Sequence, residues 1–154
     1  MGDSAEKVHD FQKSLKKGKK AESEFLELFK DKVSQSSGYI EDFVILRTGE
    51  TIELKTDFHD PSQTPNHFIE RYSYGEVNGG VWQAAEKKST YYIFFYPVTM
   101  EFFVYKTSTL LQYLKCNFQK PWLLNIRNKG HNTRGFLVKR AALESIQLNL
   151  EDIL

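Results

Sequence analysis

A mixed α/β fold, with a β-sheet packed between helices, follows from three features of the sequence. An apolar stripe at helical spacing runs through residues 25–33, and two short runs rich in β-branched residues flank Thr48-Gly49-Glu50. From Val81 to Lys115, helical and strand-like stretches then alternate, with no internal repeat. With 154 residues, 40% of them hydrophobic and 14% aromatic, the chain reads as one globular domain spanning 1–154, able to bury a core without staples. Disordered and fibrous classes are excluded. Cys116 is the single cysteine, which rules out an internal disulfide or a thiolate zinc site and points to a reducing, cytoplasmic setting. The first residues are polar and lysine-rich, and the longest apolar run, Tyr91 to Val98, is far below membrane-spanning length, so neither export nor a membrane partner is expected.

Residues 1–17 form a basic lead-in, frayed or helical, and Gly18 breaks it. A helix is expected from about Lys19 to Val33, ending before the loop that starts at Ser34. Phe25, Leu26, Phe29 and Val33 fall in one arc of that helix, with Glu22 near its centre and Glu24, Glu27 and Asp31 opposite. A carboxylate in an apolar stripe costs several kcal/mol unless a cation or proton offsets it, so Glu22 either has a partner or faces solvent at the helix start, where it favours the dipole.

Asp42 to Lys55 reads as a β-hairpin with strands 42–46 and 51–55. The period of two puts Ile52 and Leu54 on one face and Glu53 and Lys55 on the other. With the turn on Gly49, Asp42 is expected close to Lys55 across the ladder and diagonally near Glu53. Alone, such a hairpin is an ordinary solvated turn; Glu22 and the charge map raise its standing.

Residues 57–80 hold Pro61, Pro65, Gly75, Gly79 and Gly80 and read as an irregular excursion with a short element near His67 to Tyr72. Asn66, His67, Arg71, Tyr72 and Tyr74 either touch a substrate there or decorate the surface. Next come a helix from about Val81 to Lys88, strands Tyr91 to Tyr96 and Phe102 to Tyr105, and a helix from Ser108 to Lys115. Asn125 to Arg134 is a polar, basic loop, rich in phosphate-binding donors or simply solvated, and Gly135 to Lys139 a short strand. The tail from Leu143 is a closing helix or a dimer contact.

The net charge of +1 hides an uneven map. No Asp or Glu occurs from Phe102 to Leu143, where eight Lys and Arg fall, whereas acids collect between Glu41 and Glu101. Such a division suits a protein that grips a polyanion with one region and holds a cation with the other. Asp42 and Glu53 are the hard oxygen donors that Mg²⁺ prefers, with Mn²⁺ as a substitute, and Glu22 offers a water-mediated or second-ion ligand. Lys55 beside them suits orienting an attacking water or neutralising a phosphoryl transition state.

The run Lys17-Gly18-Lys19-Lys20-Ala21-Glu22-Ser23-Glu24-Phe25, then Asp42, then Glu53-Leu54-Lys55, resembles the PD-(D/E)XK nuclease superfamily, and within it archaeal-type Holliday junction resolvases. The likeness covers roughly residues 17 to 96, with Glu41 where the motif carries proline. It implies a restriction-endonuclease-like sheet flanked by helices and catalytic roles for Glu22, Asp42, Glu53 and Lys55; Gln83 is similar to a glutamine near the site in RecB-like branches. The implied activity is metal-dependent DNA endonuclease, selective for branched DNA and working as a homodimer. Lys17, Lys19, Lys20, Arg71, Arg127, Lys129 and Arg134 are assigned to the DNA backbone. Alternatives are a restriction-like or repair nuclease of the same superfamily, a non-catalytic nucleic-acid-binding module, and a partner-binding protein with a charged hairpin.

Overall fold

The computed structural model describes residues 16–36, 42–119, 122–128 and 131–154, with residues 127, 128, 131 and 132 as backbone. A helix over 16–28 (α1) leads into β1 (Val33–Gln35), β2 (Phe43–Ile45) and β3 (Thr51–Thr56). Then come β4 (Asn66–Tyr74), β5 (Val77–Asn78), α2 (Gly80–Glu86), β6 (Tyr91–Tyr96), β7 (Glu101–Lys106) and α3 (Thr107–Asn117). β8 (Leu124–Asn128), β9 (His131–Lys139), a 3₁₀ segment (Arg140–Ile146), β10 (Gln147–Leu148) and α4 (Leu150–Ile153) close the chain. Six strands form one mixed sheet in the order β1-β2-β3-β6-β7-β10, and four form an antiparallel sheet ordered β5-β4-β9-β8. The expected mixed α/β class with flanking helices is therefore present.

β3 and β6 pair in parallel, Ile52 with Tyr91 through Thr56 with Phe95, which requires a crossover; β4, β5 and α2 occupy it. The Tyr91–Tyr96 run is apolar at every position because both faces of β6 are covered. Ile93 and Phe95 join Ala21, Phe25, Phe43, Ile52 and Leu54 in a core beneath α1. Tyr92, Phe94 and Tyr96 face the other way, into a core with Val81, Leu110, Phe136 and Val138 from α2, α3 and β9. Between these elements His67 is fully buried, stacked 4.0 Å from Phe94 and bridging the hydroxyls of Tyr96 at 2.6 Å and Tyr105 at 3.0 Å.

Several expectations from sequence are corrected. Gly18 does not break the first helix; its cost of about 1 kcal/mol is outweighed by docking of the Ala21 and Phe25 face. That helix ends at 28 rather than near Val33: the N–H groups of Lys32 and Val33 both turn back to the Phe29 carbonyl, and Val33, β-branched and buried, pairs with Ile45. The 57–80 excursion is largely sheet, since β4 spans nine residues and pairs Asn66–Tyr72 with Arg134–Lys139 of β9. The basic loop from Asn125 is the β8–β9 hairpin. The tail is not one helix but the 3₁₀ segment, β10 and α4, with Leu143, Ile153 and Leu154 buried. The lead-in before residue 16, Glu41 and Lys129 lie outside the described residues. Among the described residues, no helix is long and apolar enough to cross a membrane.

Candidate metal centre

The β2–β3 hairpin builds the site. Gly49, at φ +76°, lets the chain reverse, closed by Gly49 N–H to the Ile45 carbonyl at 2.8 Å and Ile45 N–H to the Glu50 carbonyl at 2.8 Å. Phe43 pairs with Ile52, a register that sets Asp42 against Glu53 when extended one residue, rather than against Lys55 as expected. The Leu54 N–H donates to Asp42 Oδ2 at 2.7 Å and fixes that carboxylate over the neighbouring strand. Ile52 and Leu54 are buried under α1, so the period of two turns Glu53 and Lys55 toward α2 and β4.

Three carboxyls affect one another here. Burial, and then the Asp42 charge, push the Glu53 carboxyl up to about 7, against the lowering influence of Lys87 and Lys55. Asp42 is raised chiefly by burial, countered by the Leu54 hydrogen bond and by Lys87 and Lys55. Glu22, half-buried on α1, is raised by burial and by Asp42 and lowered by Lys19, so the helix glutamate does project toward the hairpin. Glu53 Oε2 is buried with no hydrogen-bond partner among the described residues. A buried carboxylate oxygen in that condition costs about 1–3 kcal/mol, and the raised pKa reflects this cost. Lys55 Nζ lies 3.8 Å from Glu70 Oε2 of β4, a loose contact for a half-exposed lysine.

No family model matches the chain. No curated protein and no solved structure matches it either. The site is accordingly read from its own geometry.

Lys87, Tyr92 and Glu70 join the cluster unforeseen. Lys87 follows α2 one turn after Gln83, and its charge reaches both Asp42 and Glu53. Gln83, named through its similarity to a glutamine of RecB-like branches, lies on α2 one turn before Lys87. Tyr92, fully buried on β6, has its phenol raised far above the usual range by burial and by Glu53, Glu70 and Asp42, which places it beneath the acids. Gly79 and Gly80 bring the start of α2 against Glu70: a Cβ on Gly80, at φ +50°, would lie 2.3 Å from the Glu70 carbonyl oxygen.

The assigned phosphate contacts divide. Lys17, Lys19 and Lys20 are exposed on α1, with Lys17 Nζ 5.8 Å from the Phe58 ring centre. Arg71 donates to Asn78 Oδ1 at 2.6 Å and stacks on Tyr72 and Trp82, while Arg134 donates to the Gly75 carbonyl at 2.7 Å and also covers Tyr72. Both arginines hold the β4–β5 turn. Arg127 lies on the backbone of β8. In the acid-free segment, Arg140 is spent inside the fold, donating to the carbonyls of Asn66, Pro61 and Thr64.

Among the described residues no group of three or more His, Cys, Asp or Glu side chains is placed to hold a metal ion. Mg²⁺ rarely uses one; it keeps several waters and takes one or two carboxylates plus substrate oxygens. Asp42 with the unpartnered oxygen of Glu53 fits that open donor set, and Glu22 is near enough for the Asp42 charge to act on it.

Proposed function

We propose that the chain is a Mg²⁺-dependent phosphodiesterase that cuts DNA, with Mn²⁺ able to substitute, on a restriction-endonuclease-like core of the PD-(D/E)XK type. The observation that carries this reading is Glu53: a carboxyl pushed up to about 7 by burial and by Asp42, with one oxygen buried and unpartnered, beside two lysines. A structural acid in that position would have been paired; one kept for a cation need not be. Asp42 and Glu53 would hold the ion, and Glu22 would hold it through water. Such an ion supplies Lewis acidity at the phosphoryl oxygens and a water of lowered pKa. Lys55, on the same face of β3 as Glu53, is positioned to orient that water or to balance the developing negative charge, and Lys87 adds positive charge from α2. The exposed lysines of α1 would grip backbone phosphates.

A branched-DNA resolvase is the form we favour, working as a homodimer because two symmetric cuts need two sites. Cys116, free and exposed, suits a reducing cytoplasm. The test is incubation of the pure protein with Mg²⁺ and linear duplex, single-stranded, flap and four-way junction DNA. Cleavage should vanish with EDTA, and Asp42→Ala, Glu53→Ala and Lys55→Ala should each lower it by at least about a hundredfold while retaining DNA binding. Full metal-dependent cleavage by all three variants would refute the site. DNA binding without cleavage by the wild type would instead favour a non-catalytic module.

A further inference from the structure

A cleft of about 330 Å³ opens beside Lys55, where the two sheets meet. Three aromatic rings line it, those of Phe58, Phe68 and Phe94, together with Ile126 from β8. Its polar lining is Lys55 and Glu70 with Thr56, Asp57, His59 and Thr133, Asp57 lying 2.7 Å from His59 Nδ1. Phe58 is 44% exposed and belongs to two surfaces at once. Besides this cleft, Phe58 lines a smaller one of about 240 Å³ with Lys17, Lys20, Glu24 and Pro97, where Lys17 approaches its ring. An aromatic ring thus stands between the α1 lysines and the lysine of the candidate centre.

The occupant must satisfy both features. Ammonium groups on either side of an aromatic recess call for a ligand whose anionic groups alternate with a flat apolar ring, which describes a nucleotide within a strand. A volume of about 330 Å³ lies at the low end of small-ligand sites, about 300 Å³ upward, and admits one base rather than a base pair. A paired base has both faces stacked on its neighbours and cannot enter without leaving the helix. We infer that this cleft receives an unpaired base next to the phosphate held at Lys55, with Phe58 as its stacking platform, so that the preferred substrate carries single-stranded or unstacked nucleotides.

This rests on the phosphodiesterase reading for the position of the phosphate, yet it is tested by binding alone. The full-length protein in EDTA is titrated into a fluorescein-labelled oligonucleotide, single-stranded or annealed to its complement, and a parallel series carries 2-aminopurine as a stacking reporter. Wild type should prefer the single strand and quench 2-aminopurine. Phe58→Ala should weaken single-strand affinity about tenfold, leave duplex affinity unchanged and abolish the quench, and Phe58→Trp should restore both. The exposed position of Phe58 keeps these variants folded, which thermal melting checks. Equal affinity changes for both DNAs, no change for either, or a wild-type preference for duplex would overturn the inference. If that happens while metal-dependent cleavage persists, the base cleft falls and the nuclease reading stands. Phe58-dependent binding without cleavage of any DNA leaves the cleft and removes the nuclease reading.

Discussion

Replacing Glu53 with glutamine removes a charge from the cluster while keeping its shape. In the folded protein, burial and the Asp42 charge hold this carboxyl at about 7, with Lys87 and Lys55 pulling the other way and Glu22 adding a smaller upward push; its ordinary value is 4.5. Between those values the folded state binds a proton that the unfolded chain has released, so stability falls as pH rises through this window. A rise from 4.5 to about 7, at ~1.4 kcal/mol per pKa unit, corresponds to about 3 kcal/mol lost once the pH has passed about 8. Urea denaturation in EDTA, from about pH 5 to about pH 8.5, measures it. The wild type should lose stability across the range. Glu53→Gln should lose about 3 kcal/mol less, making it the more stable protein at the alkaline end and nearly equal at the acid end. Adding Mg²⁺ at alkaline pH should stabilise the wild type and do little for the variant, because the ion binds the ionised carboxylate. Parallel pH profiles for the two proteins would refute the reasoning, since they would mean that Glu53 ionises as freely when folded as when unfolded.

Two further substitutions probe the frame that carries the site. Burial, reinforced by the Arg140 charge, lowers the His67 pKa from 6.5 to about 3, so the unfolded chain takes up the proton first and stability falls as pH drops through that window, by up to about 5 kcal/mol. His67→Gln, which keeps hydrogen-bonding capacity without titrating, should shift acid unfolding monitored by circular dichroism to lower pH; an unchanged midpoint would contradict the buried neutral imidazole. Gly80→Ala puts a Cβ 2.3 Å from the Glu70 carbonyl oxygen at φ +50°. It should cost about 2 kcal/mol or more in thermal unfolding and impair cleavage through the displaced partner of Lys55, whereas an unaltered melting temperature would show that the approach of α2 to β4 is not close.

The residues themselves explain which elements were legible in the sequence. β6 is legible to the residue because Tyr91–Tyr96 is apolar throughout and Pro97 ends it, and the β2–β3 hairpin because Gly49 marks its turn. Both signals are local. β4 was hidden because its partner β9 lies far along the chain, and because Pro61, Pro65 and the glycines after Tyr74 bracket it with loop chemistry. Val33 misleads because its place in the apolar arc of α1 suits a helix, while burial and pairing with Ile45 put it in β1. At the site, the charges of Glu22, Asp42 and Lys55 all act on Glu53, with Asp42 set against Glu53 by the strand register and not against Lys55 as the hairpin spacing implies. Lys87, Glu70 and Tyr92 arrive by tertiary packing of α2, β4 and β6, which no spacing rule encodes.

The second sheet gives this arrangement its particular character. β4 leaves the end of β3 through residues 57–65 and returns with Glu70 facing Lys55, while β9 and β8 bring Thr133 and Ile126 to the far side of the aromatic cleft. One wall of the cleft therefore belongs to the sheet that carries the acids, and the other to a sheet whose strands are remote in sequence. The acids answer to the register of β2 on β3 and to burial under α1, so they do not depend on which side chains the β8 strand presents. Substitution at Ile126 can then alter what enters the cleft while Asp42 and Glu53 keep their geometry. Arg71 and Arg134 are engaged with Asn78 and Gly75, so on the proposed reading the exposed lysines of α1 would take the backbone, and Phe58 stands between them and the cleft. On the proposed reading, a substrate would be selected first by whether a base can leave its stack, and only then by the chemistry at Lys55.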